Sequence, residues 1–403
     1  MYERSLVVWF SLLLVSVVAG KAQAGPAEDY LDAQLRAVAA LEAALPAITQ
    51  AADEAAGRLL SGGKLYLAGE PGMVSELLGR AGGLCGAQPL PPDIASLAVS
   101  DVVLLSDYGG AKTSLFERLT KAKAYTVVFV PRGHPWAKGD PKGTLISVPA
   151  VYERPEEPVP LVRAVPSLVA AAQWTFVAEL VAACRRQGRQ PAVYLSIFLD
   201  PGRERFKRTQ NLMFEPAPPP RLTAQEPLGR QYLAAVRDSL AAIRRDQDQR
   251  PTLRAAGGWL REALEAKPGR LFINALGHLP PQELGPLAAH LAGKPTSLMG
   301  DDTLAWAGAN LRQGDLLLSL GYQENDDRAT AAANARGART IFLTSAGPGA
   351  EQAKSPRHIY IDPHWPRTDA CVALPGYDVK VCPLSAVANL TCFYAMLAES
   401  QSR

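Results

Sequence analysis

Cysteine is scarce in this chain: five among 403 residues, odd in number and without C-x-x-C spacing. That excludes a disulfide-stapled framework and gives no support to a zinc fold. Cys85, Cys184 and Cys392 read as small buried hydrophobes, and at most Cys371 and Cys382 pair. Apart from His278, the histidines are His134, His290, His358 and His364, scattered with no ligand spacing. No charge of one sign dominates: 42 basic against 39 acidic residues leave a net +3, which removes nucleic acid as a leading partner. A G-x-S-x-G elbow and an H-E-x-x-H helix are both missing, and GEPG and SAGPGAE lack the spacing of a P-loop or a dinucleotide fingerprint. No motif calls for a cofactor or a metal.

What is present is an ordinary globular composition. Hydrophobic residues make up 48% and charged residues 20%, enough apolar material for two or three cores. One run stands apart. MYERSLVVWFSLLLVSVVAGKAQAGPAEDY places Arg4 before an apolar stretch from Leu6 to Val18 and reaches Ala22-Gln23-Ala24, the order of a secretory signal. The stretch is short for a bilayer-spanning helix. An uncleaved anchor is the competing reading, because Glu3 weakens the basic start and Lys21 interrupts the tail. The expectation is a leader over residues 1–24, an exported (periplasmic or secreted) chain starting near Gly25, and no stable membrane span after cleavage.

The strongest internal signal is a repeat. The segment from Tyr30 lies against the segment from Tyr232: a long amphipathic helix, a break, a second helix, then a short strand ending near glycine. Further landmarks recur in the same order, Leu65 with Leu271, Ser106 with Ser319 and Pro166 with Pro383, at slowly growing spacing. Small insertions in a duplicated unit produce that drift. Within each half, short apolar runs (KLYLAG, DVVLLS, TVVFVP, TLISVP; then RLFINA, DLLLSL, TIFLTS, HIYIDP) alternate with helical patterns, which argues parallel sheets covered on both faces. Residues 199–229, dense in proline and charge, read as a linker between units at 25–198 and 230–403.

These residues carry a resemblance. The glycine turn after the first strand, the D-h-h-h-h-S strand with its small polar loop, and A-x-x-x-G-A-x-T-I-x-L-T resemble the sugar isomerase (SIS) domain, a phosphosugar-binding module. GDLLLSLGYQENDDRATAAANARGARTIFLTS in the second half is the fuller match. The resemblance implies an α/β fold: two doubly wound, three-layer αβα units with parallel sheets, packed in tandem as a pseudo-dimer. It further implies a sugar phosphate or amino sugar at the shared cleft. In that family the loop after the second strand offers hydroxyls and amides to phosphate, usually as S-x-S-G-x-T. In the first copy Ser106 and Gly109 match, Tyr108 replaces the second serine, and the threonine is displaced to Thr113. The second copy keeps Ser319 and departs at Gly321, Tyr322 and Glu324.

Electrostatics ranks the two loops. The first brings Gly109 and Gly110 for close backbone approach, Lys112, and the hydroxyls of Thr113 and Ser114 to a helix start, all favourable to an anion. In the second, Glu324, Asp326 and Asp327 already occupy the positive helix end, where N-capping is the simpler role for the aspartates. The turns holding Gly69 and Gly72 in copy one, and Gly277 and His278 in copy two, form the other wall. His278 is the candidate for sugar ring opening, against a structural hydrogen bond. Glu179, a charge inside the apolar helix WTFVAELVAA, is the candidate base, against a solvent-facing glutamate. Two functions stay open: carbohydrate-derivative binding without catalysis, favoured by the worn loops and the leader, and a phosphosugar isomerase acting by enediol proton transfer. The partners expected are a small-molecule sugar phosphate or amino sugar and, as an open alternative, a second copy of the chain in a homodimer.

Overall fold

The computed structural model describes residues 25–108, 113–138, 143–149, 165–197, 199–217, 227–265, 271–290, 294–296, 301–322 and 327–401. The leader at 1–24 lies outside the described residues, as do Gly109, Gly110, Lys112, Glu324 and Asp326.

The first half runs α1 (Pro26–Glu42), α2 (Leu45–Leu60), β1 (Leu65–Gly69), α3 (Pro71–Leu77), β2 (Ala87–Pro89), β3 (Val102–Ser106), α4 (Thr113–Lys121), β4 (Tyr125–Pro131), β5 (Gly143–Val148) and α5 (Val165–Arg186). After α6 (Asp200–Thr209), the second half repeats the plan. It comprises α7 (Leu228–Gln249), α8 (Thr252–Glu265), β6 (Leu271–Ala275), α9 (Leu279–His290), β7 (Lys294–Thr296), α10 (Asp301–Asn310), β8 (Leu316–Leu320), α11 (Asp327–Ala335), β9 (Arg339–Leu343), α12 (Ala350–Lys354) and β10 (His358–Ile361). A hairpin of β11 (Ala370–Val372) and β12 (Val381–Pro383) then leads into α13 (Ser385–Ser400).

The two five-stranded sheets are parallel throughout, in the orders β2-β1-β3-β4-β5 and β7-β6-β8-β9-β10. These are one order, 2-1-3-4-5, used twice. The strands alternate between two covered faces, as their period of two requires. Leu65, Leu67, Leu104, Val127 and Phe129 turn to a central core, while Tyr66, Val103, Leu105, Val128 and Val130 turn to an outer one. In the second sheet Leu271, Ile273, Leu316 and Leu318 face the same central core, and Phe272, Leu317 and Phe342 face a third cluster. One core is therefore shared between the halves.

Helices α5 and α13 run through that shared core and are buried almost all round, which explains their apolar sequences. α5 is long and apolar enough to cross a membrane, yet its apolar stretch lies wholly inside the fold. Each of these helices carries a buried glutamate that caps a helix of the opposite half. Glu179 accepts from the Gly229 N–H of α7 at 2.7 Å, and Glu399 accepts from the Ala27 N–H of α1 at 3.2 Å. A carboxylate at a helix N-terminus meets unpaired N–H groups and the positive end of the dipole. The halves thus clasp each other reciprocally, and Tyr30 of α1 and Tyr232 of α7 sit fully buried at matching positions.

Three differences from the sequence reading have physical reasons. The short edge strands β2 and β7 were not expected, since AQP and KPT offer no apolar run. The stretch 199–229, expected as a linker, holds α6, whose buried Arg205 is fixed by Glu215 at 2.6 Å and by the Val193 carbonyl at 2.9 Å. Cys371 and Cys382 are both free, each sulfur turned to a different backbone carbonyl, those of Cys382 and Trp174 respectively.

Candidate functional site

In a 2-1-3-4-5 sheet the order of strand addition reverses between the first and third strands, and ligands bind outside the strand C-termini at that point. Each half supplies such a crevice. In the second half it opens into a cavity of about 730 Å³. Leu276, Gly277 and His278 line it after β6, and Tyr322 lines it after β8. Arg80, just past α3 of the first half, and Asp369 supply charge, while Tyr194 to Ile197 and Arg203, Phe206 and Lys207 of α6 form the remaining wall.

The charges of the floor are already paired. Arg80 is buried and donates to Glu76 at 2.6 Å and to Asp369 at 3.0 Å, with a further bond to the Ser385 hydroxyl. Asp369 also accepts from the Leu384 and Ser385 N–H groups at 3.0 and 2.8 Å, capping α13, and adopts a left-handed backbone at φ +61°. Glu76 accepts from the Trp174 indole N–H at 3.0 Å and from the Leu279 N–H at 3.2 Å. Leu279 opens α9, so a protein carboxylate occupies the helix N-terminus where an anionic ligand would otherwise sit. Burial pushes the Glu76 carboxyl up to about 7, against the opposing pull of Arg80.

His278 donates from Nδ1 to the Ser75 carbonyl at 3.0 Å, because a carbonyl can only accept, which leaves Nε2 as the ring's lone pair. Burial, reinforced by Arg80, lowers its pKa to about 4 and keeps it neutral at ordinary pH. Burial likewise raises the Tyr322 hydroxyl, which bonds with Ser196 and Asp369.

The other residues singled out from sequence fall in several places. Gly277 lines the cavity with φ +106°. Gly69, its counterpart after β1 at φ +102°, is fixed by close packing, since a Cβ there would lie 1.9 Å from the Ser106 carbonyl oxygen. Gly72 belongs to the first turn of α3 and packs against Leu279 and Glu283 of α9. Ser106 is buried and its hydroxyl has no partner among the described residues. Ser114 is exposed at the start of α4; Thr113 opens that helix, its side chain lying outside what is described. Ser319 is buried, taking a long 3.4 Å bond from Asn274, and does not line the cavity. Glu179 is a correction: it is neither solvent-facing nor among the cavity residues, but a buried cap that also accepts from Thr49 at 3.1 Å. Asp327 does cap a helix, but its carboxylate serves the N–H groups of Glu351 and Gln352 in α12.

Sequence reasoning passed over Glu76, Arg80, Asp369 and α6. Glu76 and Arg80 stand four apart and gave a visible helix-pair signal. Asp369 is distant in sequence and gave none.

No family model and no curated protein matches the chain. Among solved structures it is similar to tagatose-6-phosphate ketose/aldose isomerase from Escherichia coli, at 12% identity and TM-score 0.48 over 93% of this chain and 90% of that one. It is similar to the C-terminal domain of glucosamine-fructose-6-phosphate aminotransferase from Francisella tularensis, at 10% identity and TM-score 0.46 over 93% and 96%. The sugar isomerase domain of the RpiR transcription factor from Sphaerobacter thermophilus covers 41% of this chain, with 86% of its own length, at 21% identity and TM-score 0.29. Likenesses this distant say nothing of chemistry. In fold, with its doubled 2-1-3-4-5 parallel sheet and helices on both faces, the chain is a tandem three-layer αβα protein.

Proposed function

We propose that this protein binds a carbohydrate derivative, a sugar phosphate or an amino sugar, in the cavity at the second switch point, and does so without converting it. The observation that carries the reading is the coincidence of a large cavity with the strand C-termini of β6 and β8. Enediol chemistry needs a carboxylate poised to take a proton from the ligand. The lining carboxylate, Asp369, is engaged by Arg80, two backbone N–H groups and Ser385, and Glu76 behind it is engaged three ways. Glu179 caps α7 instead.

The test is a thermal-shift and calorimetric screen of sugar phosphates and amino sugars on the wild type and on Ala81→Trp, which places an indole on the cavity wall. A ligand that stabilises the wild type and not the variant supports the reading; one that stabilises both equally removes the cavity from it. We also propose that the chain works outside the cytoplasm, on the leader pattern of residues 1–24. N-terminal sequencing from the native host should begin near Gly25, and an intact Met1 would overturn that.

A further inference from the structure

We infer that the ligand carries both an anionic group and an apolar or aromatic substituent, and that one face of α6, formed by Arg203, Phe206 and Lys207, recognises both. This rests on the cavity being the binding site. The three residues stand at i, i+3 and i+4, so they share a helix face, and all three line the cavity. The helix presenting them is held in place by Arg205, which is tied to Val193, Glu215 and Asp378.

Apolar surface is unusually open here. Ile197 and Phe206, 51% and 38% exposed, are two of the four large hydrophobics that stand exposed among the described residues. Both line this cavity, and Phe206 stacks on Tyr194 with ring centroids 5.6 Å apart. Such surface in a groove marks a ligand's apolar part. A bare hexose offers only the C–H face of one ring, too little to cover both Ile197 and Phe206.

Charge places the anion on this same wall, away from the floor. The floor sets one cation, Arg80, against two carboxylates, Glu76 and Asp369, and so does not attract a negative group. The α9 N-terminus is taken by Glu76. At the rim, Arg203 and Lys207 outnumber Glu204, whose pair with Lys207 at 2.9 Å is exposed and weak enough for a ligand anion to displace. The anion therefore sits against α6 at the mouth, and the apolar substituent lies on Phe206 and Tyr194.

Three probes separate the two requirements: 4-nitrophenyl β-glucoside 6-phosphate has both groups, glucose 6-phosphate has the anion alone, and 4-nitrophenyl β-glucoside has the ring alone. Calorimetry on the wild type should rank the first tightest. Arg203→Gln with Lys207→Gln, both at exposed positions, should weaken it about tenfold at low salt, with the difference shrinking as salt is added. The same double variant should leave the uncharged glucoside unaffected. Phe206→Ala should weaken both aryl probes and spare glucose 6-phosphate. Binding of any probe that ignores all three substitutions but is abolished by Ala81→Trp overturns this inference and leaves the cavity reading standing. If none of the three binds the wild type, this inference falls, and the cavity reading is decided by the screen of sugar phosphates and amino sugars.

Discussion

Glu76→Gln isolates the buried charge beneath the cavity. The carboxyl is fully buried, and its folded-state value of about 7 stands above its ordinary 4.5, with burial the dominant cause. A raised carboxyl means that the native state holds its proton more tightly than the unfolded chain does. The contribution is fully present below pH 4.5 and is lost as pH rises through about 7. At about 1.4 kcal/mol per pKa unit, linkage between pH 5 and pH 8 removes about 2–3 kcal/mol from the wild type. Glutamine cannot titrate, so the variant escapes that loss. Its amide still offers an oxygen to Trp174 or Arg80, and Arg80 keeps Asp369 and Ser385. Titrations common to the two proteins cancel in the difference. Urea unfolding of the two proteins at pH 5 and pH 8 reads it directly: the stability of Gln relative to Glu should improve by about 2–3 kcal/mol at the higher pH. An unchanged difference would show that Glu76 is charged in both conditions and that burial does not govern it.

Three further expectations follow from the geometry. His278 and His358, each lowered to about 4 by burial, should stay neutral in the folded protein at pH 5.5, with ring carbon shifts in NMR that begin to move only near pH 4; titration near 6.5 would contradict the packing described. Gly72→Val should cost about 1–3 kcal/mol by wedging α3 from α9, because a Cβ there would approach the Leu279 side chain at 2.7 Å; a neutral result in thermal unfolding would mean the contact yields freely. Glu179→Gln and Glu399→Gln should each lose about 1–2 kcal/mol by calorimetric unfolding, since each removes a charged cap across the shared core, and a loss confined to one of them would deny the reciprocal clasp.

The sheets were legible because their strands are covered on both faces and so read as continuous apolar runs, from KLYLAG to HIYIDP. Landmark order then placed Tyr30 against Tyr232 and Ser106 against Ser319, and the strand orders agree with that duplication. The edges β2 and β7 were not legible, since three residues carry no period. The helix α6 was obscured by the proline and charge around it, although Asp200-Pro201 at its start is a helix-opening signal. The candidate cavity was legible only where it follows the fold: Gly277 and His278 are strand-end residues, and both line it. Arg80 reaching Asp369 across the interface between the halves is a tertiary event that no local pattern announces.

The central claim is that ligand enters at the second switch point and not at the loop after β3. Electron density from crystals grown with 4-nitrophenyl β-glucoside 6-phosphate tests it most directly. Density for the sugar beside Gly277 and Tyr322, with its phosphate facing Arg203 and Lys207, is the expected result. A phosphate bound instead along residues Ser106 to Ser114 would contradict it and return the site to the first copy.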